Sequence, residues 1–191
     1  CMYKHTTFGV GGRVSCYFMP KNIIELKKVI KYSTEKKIKT FFAGSGSNLL
    51  VSDNGYDGIV ISLKKTFKNL EILDNGTIIA ESGVMLGNMV KQATSKGIEG
   101  LESLIGVPGT VGGALYMNAG AYNHEISNYF YSAVLLDDNG FEKIYTKKEI
   151  NFSYRSSSFP KNEILVKATF KYPKGDLKVI SKNKKKASMK R

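Results

Sequence analysis

Two glycine-rich segments are the part of this 191-residue sequence best suited to chemistry. The first glycine segment, Gly44-Ser-Gly-Ser-Asn48, directly follows an apolar, β-prone stretch. Small residues at such a turn let backbone N–H groups converge on an anion, which is the geometry that holds phosphates. Leu49 occupies the third glycine position and no Gly-Lys-Ser/Thr follows, so the segment is neither a Rossmann fingerprint nor a P-loop. Taken alone, it is equally consistent with a plain tight turn.

The second glycine segment runs from Gly106 to Gly120 and holds five glycines within fifteen residues. Ordering so many glycines costs much backbone entropy, and a structural turn needs only one or two of them. This density favours the close approach of a ligand to the backbone, with Thr110 and Asn118 as polar contacts. A diphosphate-bearing ligand lying between two lobes would use both segments.

Cysteine and histidine do not suggest a metal site or a disulfide framework. Cys1 and Cys16 are the only cysteines, His5 and His124 are the only histidines, and neither histidine has a cysteine at ligand spacing. Scattered packing or polar roles are therefore favoured, and no metal is expected.

The net charge of +13 is concentrated near the end of the sequence. From Lys171 onward there are nine Lys and Arg against one acid, which leaves twenty basic and fifteen acidic residues, a net of +5, before it. A Lys-rich run is typical of a solvated helix face, so nucleic-acid binding is the less favoured hypothesis. No apolar stretch reaches 18 residues and no signal-peptide pattern is present, which predicts a cytoplasmic protein without a membrane span.

Helical periodicity over residues 22–37, with Asn22 and Glu25 as a capping box, predicts the first helix. Strands are predicted at 38–43, from Leu49, and at 59–63, which together indicate a small α/β lobe.

The pattern then changes to that of an antiparallel sheet. Residues 70–73 with 77–80, and residues 132–136 with 142–145, flank Asn-Gly turns and predict two hairpins. A second helix begins near Leu86 and ends at Gly97, and a last strand is predicted at 164–172. Asp176 is predicted to cap a basic, poorly anchored helix that runs to Arg191. We therefore expect domains at residues 1–65, 66–173 and 174–191.

Four motifs occur in a characteristic order: Thr6-Thr-Phe-Gly-Val-Gly-Gly12, Gly44-Ser-Gly-Ser-Asn-Leu-Leu-Val51, Gly106-Val-Pro-Gly-Thr-Val-Gly-Gly113 with Asn118-Ala-Gly120, and Phe152-Ser-Tyr-Arg-Ser-Ser-Ser-Phe159. This set resembles the UDP-N-acetylenolpyruvoylglucosamine reductase family from Thr6 to about Tyr172. The resemblance implies an α+β, two-lobed FAD-binding fold of the vanillyl-alcohol-oxidase (PCMH) type, with a small α/β lobe and an antiparallel-sheet lobe.

The resemblance also implies a reaction. FAD would lie between the lobes, NADPH would donate the hydride, and the enolpyruvyl group of UDP-N-acetylenolpyruvoylglucosamine would be reduced to give UDP-N-acetylmuramate, a peptidoglycan precursor. The protein is expected to be a monomer. The implied FAD contacts are Gly44, Ser45, Gly46, Ser47, Asn48 and Leu49 in the first glycine segment, and Gly106, Val107, Pro108, Gly109, Thr110, Gly112, Gly113, Asn118, Ala119 and Gly120 in the second.

Arg155 matches the catalytic arginine of the family, and its neighbour Tyr154 is an expected substrate contact. Hydride addition to the enolpyruvyl double bond moves negative charge toward its carboxylate, and a guanidinium keeps its charge and grips a carboxylate with two donors. Outside this motif, a Tyr-Arg pair would be interpreted as an ordinary surface feature.

The sequence departs from the family in one respect. The proton-donating serine and a second catalytic acid of the family belong to a C-terminal substrate domain, and Ser156–Ser158 do not match that motif. We therefore expect a chain that carries hydride-transfer machinery without its proton donor. Two other hypotheses stay open: an FAD-binding module with no turnover of its own, and a basic nucleic-acid-binding protein. A different flavoenzyme of the same fold is a further alternative, against which the Arg155 motif argues.

Overall fold

The computed structural model describes residues 1–189 and contains two principal sheets, one parallel and one antiparallel. The parallel sheet has three strands, β1 (Val14–Phe18), β2 (Thr40–Ala43) and β3 (Tyr56–Ser62), in the order β1-β3-β2. Helix α1 (Ile23–Glu35) connects β1 to β2. Strand β1 is not apparent from the sequence because none of its five residues is fully buried and they show no clear alternation.

The predicted capping box at the start of α1 is confirmed. The Asn22 side-chain oxygen accepts a hydrogen bond of 2.9 Å from the Glu25 backbone N–H. The Glu25 carboxylate in turn accepts one of 2.8 Å from the backbone N–H of Lys21. These bonds satisfy donors that the first helical turn leaves unpaired, and they fix where the helix begins.

The strand predicted from Leu49 is wrong. This stretch is irregular and runs beside the N-terminal segment, where the Gly12 N–H donates to the Ser52 carbonyl at 2.9 Å. A Cβ atom on Gly11 would lie 2.9 Å from Val51 Cβ, so the two backbones are close. Of its apolar residues, Val51 packs beside this N-terminal loop whereas Leu50 is exposed, an arrangement that periodicity alone does not distinguish from a strand.

The antiparallel sheet has five strands in the order β4-β5-β12-β8-β9. These are β4 (Leu70–Ile72), β5 (Thr77–Glu81), β8 (Phe130–Leu136), β9 (Glu142–Thr146) and β12 (Ile164–Lys171). Both predicted hairpins are confirmed, since β4 pairs with β5 and β8 pairs with β9. The long strand β12 lies at the centre, between the two hairpins.

Short elements fill the connections of this sheet. Helix α2 (Leu86–Ser95) follows β5, and α3 (Val111–Tyr116) lies inside the second glycine segment. Two small hairpins follow: β6 (Gly120–Ala121) with β7 (His124–Glu125), and β10 (Phe152–Ser153) with β11 (Ser156–Ser157). Among residues 1–189, no helix is long and apolar enough to cross a membrane.

The two sheets share part of their apolar core. Leu26 and Ile30 of α1 and Ile61 of β3 belong to one buried cluster with Leu136 of β8 and Ile164 of β12. A second and larger cluster joins α2, α3 and the antiparallel sheet. The parallel sheet is thus fixed to the antiparallel one by direct side-chain packing, and the loops at their junction are held at a defined separation.

Helix α4 (Leu177–Met189) carries most of the basic residues of the last segment. The Asp176 carboxylate accepts hydrogen bonds from the backbone N–H groups of Lys178 at 2.8 Å and Val179 at 3.0 Å, so the predicted cap is confirmed. Ile180 and Ala187 are buried, and the helix contacts α2 and the 3-10 helix Glu102–Leu104. The expectation of poor anchoring is therefore wrong for this face. Lys190 and Arg191, to which the predicted helix extended, lie outside the described residues.

Replacing Ile180 with Ala should loosen α4. Ile180 is 1% exposed, and removing such a side chain costs about 2–5 kcal/mol. Hydrogen exchange measured by mass spectrometry should become faster across residues 177–189. The matched control is Val179→Ala, since Val179 is 51% exposed on the same helix. Equal exchange in the two variants would show that the buried face does not anchor the helix.

Candidate functional site

A cavity of about 1110 Å³ lies between the parallel sheet and the second glycine segment. Its walls include β2, the first residues of β12 and the turn that carries Arg155. It brings together most of the cofactor contacts expected from the sequence, namely Gly44, Ser45, Ser47–Leu49, Gly106–Thr110, Gly112, Gly113, Ala119 and Gly120. Segments some sixty residues apart in the sequence therefore line a single cavity, although the ligand-binding role of each residue stays a prediction.

The two glycine segments touch each other where they meet. A Cβ atom on Gly44 would lie 2.6 Å from Thr110 Oγ1, and one on Gly109 would lie 3.2 Å from Ser47 Oγ. Gly109 also has a φ of +125°, a backbone conformation that side chains other than glycine rarely adopt. Both glycines are thus explained by the close approach of one segment to the other.

Backbone hydrogen bonds hold the second glycine segment in place. The Leu86 N–H donates to the Gly109 carbonyl at 3.0 Å, and the Val111 N–H donates to the Val84 carbonyl at 2.8 Å. The Gly112 N–H donates to the Ser82 carbonyl at 3.0 Å, and a Cβ atom on Gly112 would lie 2.8 Å from Ser82 Cβ. Contacts within the protein therefore attach the second glycine segment to the connection between β5 and α2 without the help of a ligand.

The first glycine segment leaves backbone donors available. Among the described residues, no backbone carbonyl accepts a hydrogen bond of good geometry from the N–H of Ser47 or Asn48, and both residues line the cavity. Ser62 Oγ donates to the Gly44 carbonyl at 3.1 Å, which fixes the start of the segment on β3. Such free donors on a fixed turn suit a phosphate oxygen.

Gly46 is the one glycine of the first segment that does not line the cavity. Its φ is +82°, and a Cβ atom there would overlap the backbone carbonyl oxygen of His5. The Thr7 N–H donates to the Gly46 carbonyl at 3.0 Å. The close approach of the N-terminal segment therefore requires a glycine at this position whether or not a ligand is bound.

Asn118 also lies outside the cavity lining. It is fully buried, and its side-chain Nδ2 donates to the Glu125 carboxylate at 2.7 Å and to the Ser153 carbonyl at 3.0 Å. Its expected role as a cofactor contact stays a prediction. The contacts that it makes are within the protein, to Glu125 of β7 and to Ser153 of β10.

Arg155 and Tyr154 form the two-residue turn of the hairpin β10–β11. Arg155 lines the cavity and has a φ of +54°, in the left-handed region. Tyr154 does not line the cavity, is 83% exposed, and has its ring centroid 5.4 Å from the guanidinium carbon of Arg155. The expected catalytic residue thus faces the glycine segments, whereas the expected substrate contact is outside them.

Lys64 and Lys161 also line the cavity, and the sequence did not single them out. With Arg155 they give the lining three basic side chains, and no described lining residue is acidic. A cavity of this charge favours an anionic ligand. In a chain with 29 Lys and Arg, the spacing of these two lysines carries no signal that could have identified them.

Tyr116 is a further lining residue that sequence analysis missed, although it lies two positions before Asn118. Its hydroxyl donates to the backbone carbonyls of Glu163 at 2.7 Å and Pro160 at 3.2 Å, which holds the loop that carries Lys161. Burial raises the pKa of Tyr116, and the nearby charge of Glu163 raises it further. The hydroxyl therefore stays protonated and keeps donating to this loop.

The described part of the chain contains no cluster of candidate metal ligands. No group of three or more His, Cys, Asp or Glu within residues 1–189 is arranged to hold a metal ion. Cys1 and Cys16 are both exposed and free.

Residues 14–141 match the model of a protein family described as the FAD binding domain. The chain belongs to that family. The cavity of this FAD-binding domain, whose described lining carries no carboxylate, and its two glycine segments fit a flavin dinucleotide, whose diphosphate is anionic. The volume exceeds the range of about 300–1,000 Å³ that is typical of small-molecule pockets.

The FAD-binding domain also resembles reductases over most of its length. It is 41% identical over 175 residues to UDP-N-acetylenolpyruvoylglucosamine reductase of Rickettsia massiliae, and 43% identical over 180 residues to the enzyme of the same name from Clostridium tetani. These matches cover 91% and 94% of the chain, which spans 58% of the length of either relative.

A solved structure confirms the fold. The crystal structure of UDP-N-acetylenolpyruvylglucosamine reductase from Thermus caldophilus superposes with a TM-score of 0.86 at 29% identity, over the whole chain and 67% of that structure. The resemblance and the two-lobed FAD-binding fold expected from the sequence are therefore confirmed.

Replacing Gly44 with Ala should weaken FAD binding by about tenfold or more, or ~1.4 kcal/mol. The added methyl group would push on Thr110 Oγ1 and separate the two glycine segments. Titration followed by quenching of flavin fluorescence measures the change.

Gly87→Ala is the matched control, because a Cβ atom at that position in α2 would meet no described atom within 4 Å other than its chain neighbours and the backbone of its own helix. It should leave FAD affinity unchanged and alter stability by at most about +1 kcal/mol. Wild-type affinity in Gly44→Ala would show that the contact between the segments does not shape the FAD site.

Proposed function

We propose that this chain is the FAD-binding part of an NADPH-dependent UDP-N-acetylenolpyruvoylglucosamine reductase, which forms UDP-N-acetylmuramate for peptidoglycan synthesis. One observation carries the proposal. Arg155, which matches the catalytic arginine of that family, lies in the wall of the same cavity as both glycine segments. Identity of 41% to 43% with reductases of that name supports the choice of reaction.

FAD, when bound, would supply the hydride-transfer chemistry, and this chain would supply the charge that stabilises the product of hydride addition. A hydride that reaches one carbon of the enolpyruvyl double bond sends the electron pair toward the neighbouring carbon and its carboxylate. The Arg155 guanidinium would hold that carboxylate with charge-assisted hydrogen bonds that strengthen as the negative charge grows. The left-handed backbone of Arg155 is the kind of strain that proteins keep at functional sites.

The remaining lining groups fit the anionic parts of the ligands. We propose that the free N–H groups of Ser47 and Asn48 meet the FAD diphosphate, as the first glycine segment suggests. Lys64 and Lys161 would balance further negative charge within the cavity. Tyr116 would contribute indirectly, by holding the loop that carries Lys161.

The proposed reaction also needs a proton at the second carbon. The proton donor of the family is a serine of the C-terminal substrate domain, and no described residue that lines the cavity is a carboxylic acid or a histidine that could replace it. The chain spans 58% of the length of its relatives, and we place the proton donor in the part of such an enzyme that this chain does not match. In that proposal residues 1–65 and 66–173 are the two FAD-binding lobes, and residues 174–191 begin the substrate domain. The substrate and NADPH are cytoplasmic metabolites, so the cytoplasm is the proposed location.

The chain alone, loaded with FAD, should reduce the enolpyruvyl substrate very slowly or not at all. Losing a general acid typically lowers a rate by about 10²- to 10⁴-fold. Product formation is measured by chromatography after incubation with NADPH and the substrate. Rapid formation of UDP-N-acetylmuramate would place a proton donor within these 191 residues and contradict this part of the proposal.

Arg155→Ala should abolish reduction in a fusion of this chain to the unmatched part of the Clostridium tetani relative. Removing a fixed donor that stabilises developing charge lowers kcat by about 10²- to 10³-fold. FAD binding, measured by flavin absorbance, should stay unchanged.

Arg13→Ala is the control, because Arg13 is an exposed arginine outside the cavity lining. It should retain full activity. Either full reduction by the Arg155→Ala fusion or the absence of bound flavin in the wild-type chain would overturn the proposed function.

A further inference from the structure

We propose that Asn118 is the positioning residue that holds the Tyr154–Arg155 turn against the cavity. The inference rests on the proposed function only for the role of the Arg155 guanidinium. Asn118 does not line the cavity, so its effect must pass through the backbone of the hairpin β10–β11.

The turn cannot hold its own shape. Strands β10 and β11 pair through Phe152 with Ser157 and Ser153 with Ser156, and two further hydrogen bonds of 2.9 Å join Asn151 to Ser158. An isolated hairpin is at best marginally stable in water even when it is longer. Arg155 also has a φ of +54°, a left-handed backbone conformation that is unfavourable for residues with a Cβ atom. Contacts from outside the hairpin must therefore maintain this conformation.

Two such contacts come from the segment 116–118. Asn118 Nδ2 donates to the carbonyl of Ser153, the residue that directly precedes the turn, at 3.0 Å. On the other strand, Ser157 Oγ donates to the Tyr116 carbonyl at 2.9 Å. The two strands of the hairpin are thus fixed to one short stretch of backbone at the end of α3.

The orientation of the Asn118 amide is determined by its neighbours. Its Nδ2 faces two groups that only accept, the Glu125 carboxylate at 2.7 Å and the Ser153 carbonyl at 3.0 Å. A flipped amide would place an oxygen against both acceptors, so the NH₂ group must lie there. The Oδ1 atom is buried without a hydrogen-bond partner among the described residues. Burying Oδ1 without a partner costs free energy. The two hydrogen bonds that Nδ2 donates must offset this cost, so we infer that they are the reason for an Asn at this position.

The backbone at this position adds a second requirement. Asn118 has a φ of +40°, a region in which Asn, Asp and Gly are far better tolerated than other residues. Of these three residues, only Asn has a side-chain donor, and it reaches the Ser153 carbonyl. The position therefore offers two informative variants, Asn118→Asp and Asn118→Gly, that keep the backbone conformation accessible.

The first experiment measures the turn directly in the FAD-loaded chain. Trypsin cleaves after Arg155, and cleavage requires the turn to open. In Asn118→Asp, an oxygen replaces the NH₂ group and faces the Ser153 carbonyl, so cleavage at Arg155 should accelerate by about tenfold or more. Asn118→Gly, which removes the amide, should act in the same direction. Cleavage at Lys21 should be unchanged, and unchanged cleavage at Arg155 in both variants would overturn the proposal.

The double variant Asn118→Asp/Glu125→Gln distinguishes an effect of Asn118 on the Tyr154–Arg155 turn from an effect on the stability of the whole protein. Exchanging the amide and the carboxylate restores a hydrogen bond between positions 118 and 125 but still places an oxygen against Ser153. We expect Tm to recover while cleavage at Arg155 stays fast. Recovery of slow cleavage together with Tm would show a structural role only and overturn the inference.

The reductase fusion then connects the turn to catalysis. Asn118→Asp should lower kcat for the enolpyruvyl substrate, measured at saturating FAD, by about tenfold or more, and adding Arg155→Ala should cost less than it does in the wild-type background. Fully additive losses would overturn the link between the two residues. If the wild-type fusion reduces nothing, the proposed function fails, whereas the cleavage comparison still decides the role of Asn118.

Discussion

The contact between Gly44 and Thr110, together with that between Gly109 and Ser47, is the constraint on which the cavity depends. A side chain at Gly44 would collide with the Thr110 hydroxyl and one at Gly109 would crowd the Ser47 hydroxyl, so the backbone of each segment approaches a short polar side chain of the other. The shared core of Leu26, Ile61, Leu136 and Ile164 holds the parallel sheet against the antiparallel one and thereby maintains this approach. The relative position of the two glycine segments thus depends on the shared apolar core and on the absence of side chains at Gly44 and Gly109.

Sequence analysis predicted the elements whose signals are local. The capping box at Asn22 and the Asn-Gly turns of the hairpins depend on residues a few positions apart, and both are confirmed. Strand β1 and the irregular stretch after Leu49 depend on which distant segment lies beside them, which periodicity does not encode. Resemblance to a family supplied what the local signals lacked, since it combined four separate motifs.

In the candidate site, too, some features have a local sequence signal and others depend on distant segments. Glycine density located both cavity walls, because close backbone approach leaves a direct mark on composition. It did not distinguish Gly112, which approaches Ser82, from Gly46, which is required by the backbone of His5 on the far side of its segment. Lys64, Lys161 and Tyr116 were missed because their placement depends on the folded chain. An amino-acid type can therefore mark a ligand site or a purely internal contact with equal strength.

The absence of carboxylates among the described residues that line the cavity has a kinetic consequence. Three cationic side chains in a concave, partly apolar wall focus a positive electrostatic potential toward the mouth, which favours the approach of anionic ligands from a distance. The range of this attraction is set by dissolved ions, with a Debye length of about 8 Å at physiological ionic strength. Ligand capture by this fold should accordingly slow as salt rises, while the rate of escape, governed by short-range backbone contacts, should change much less.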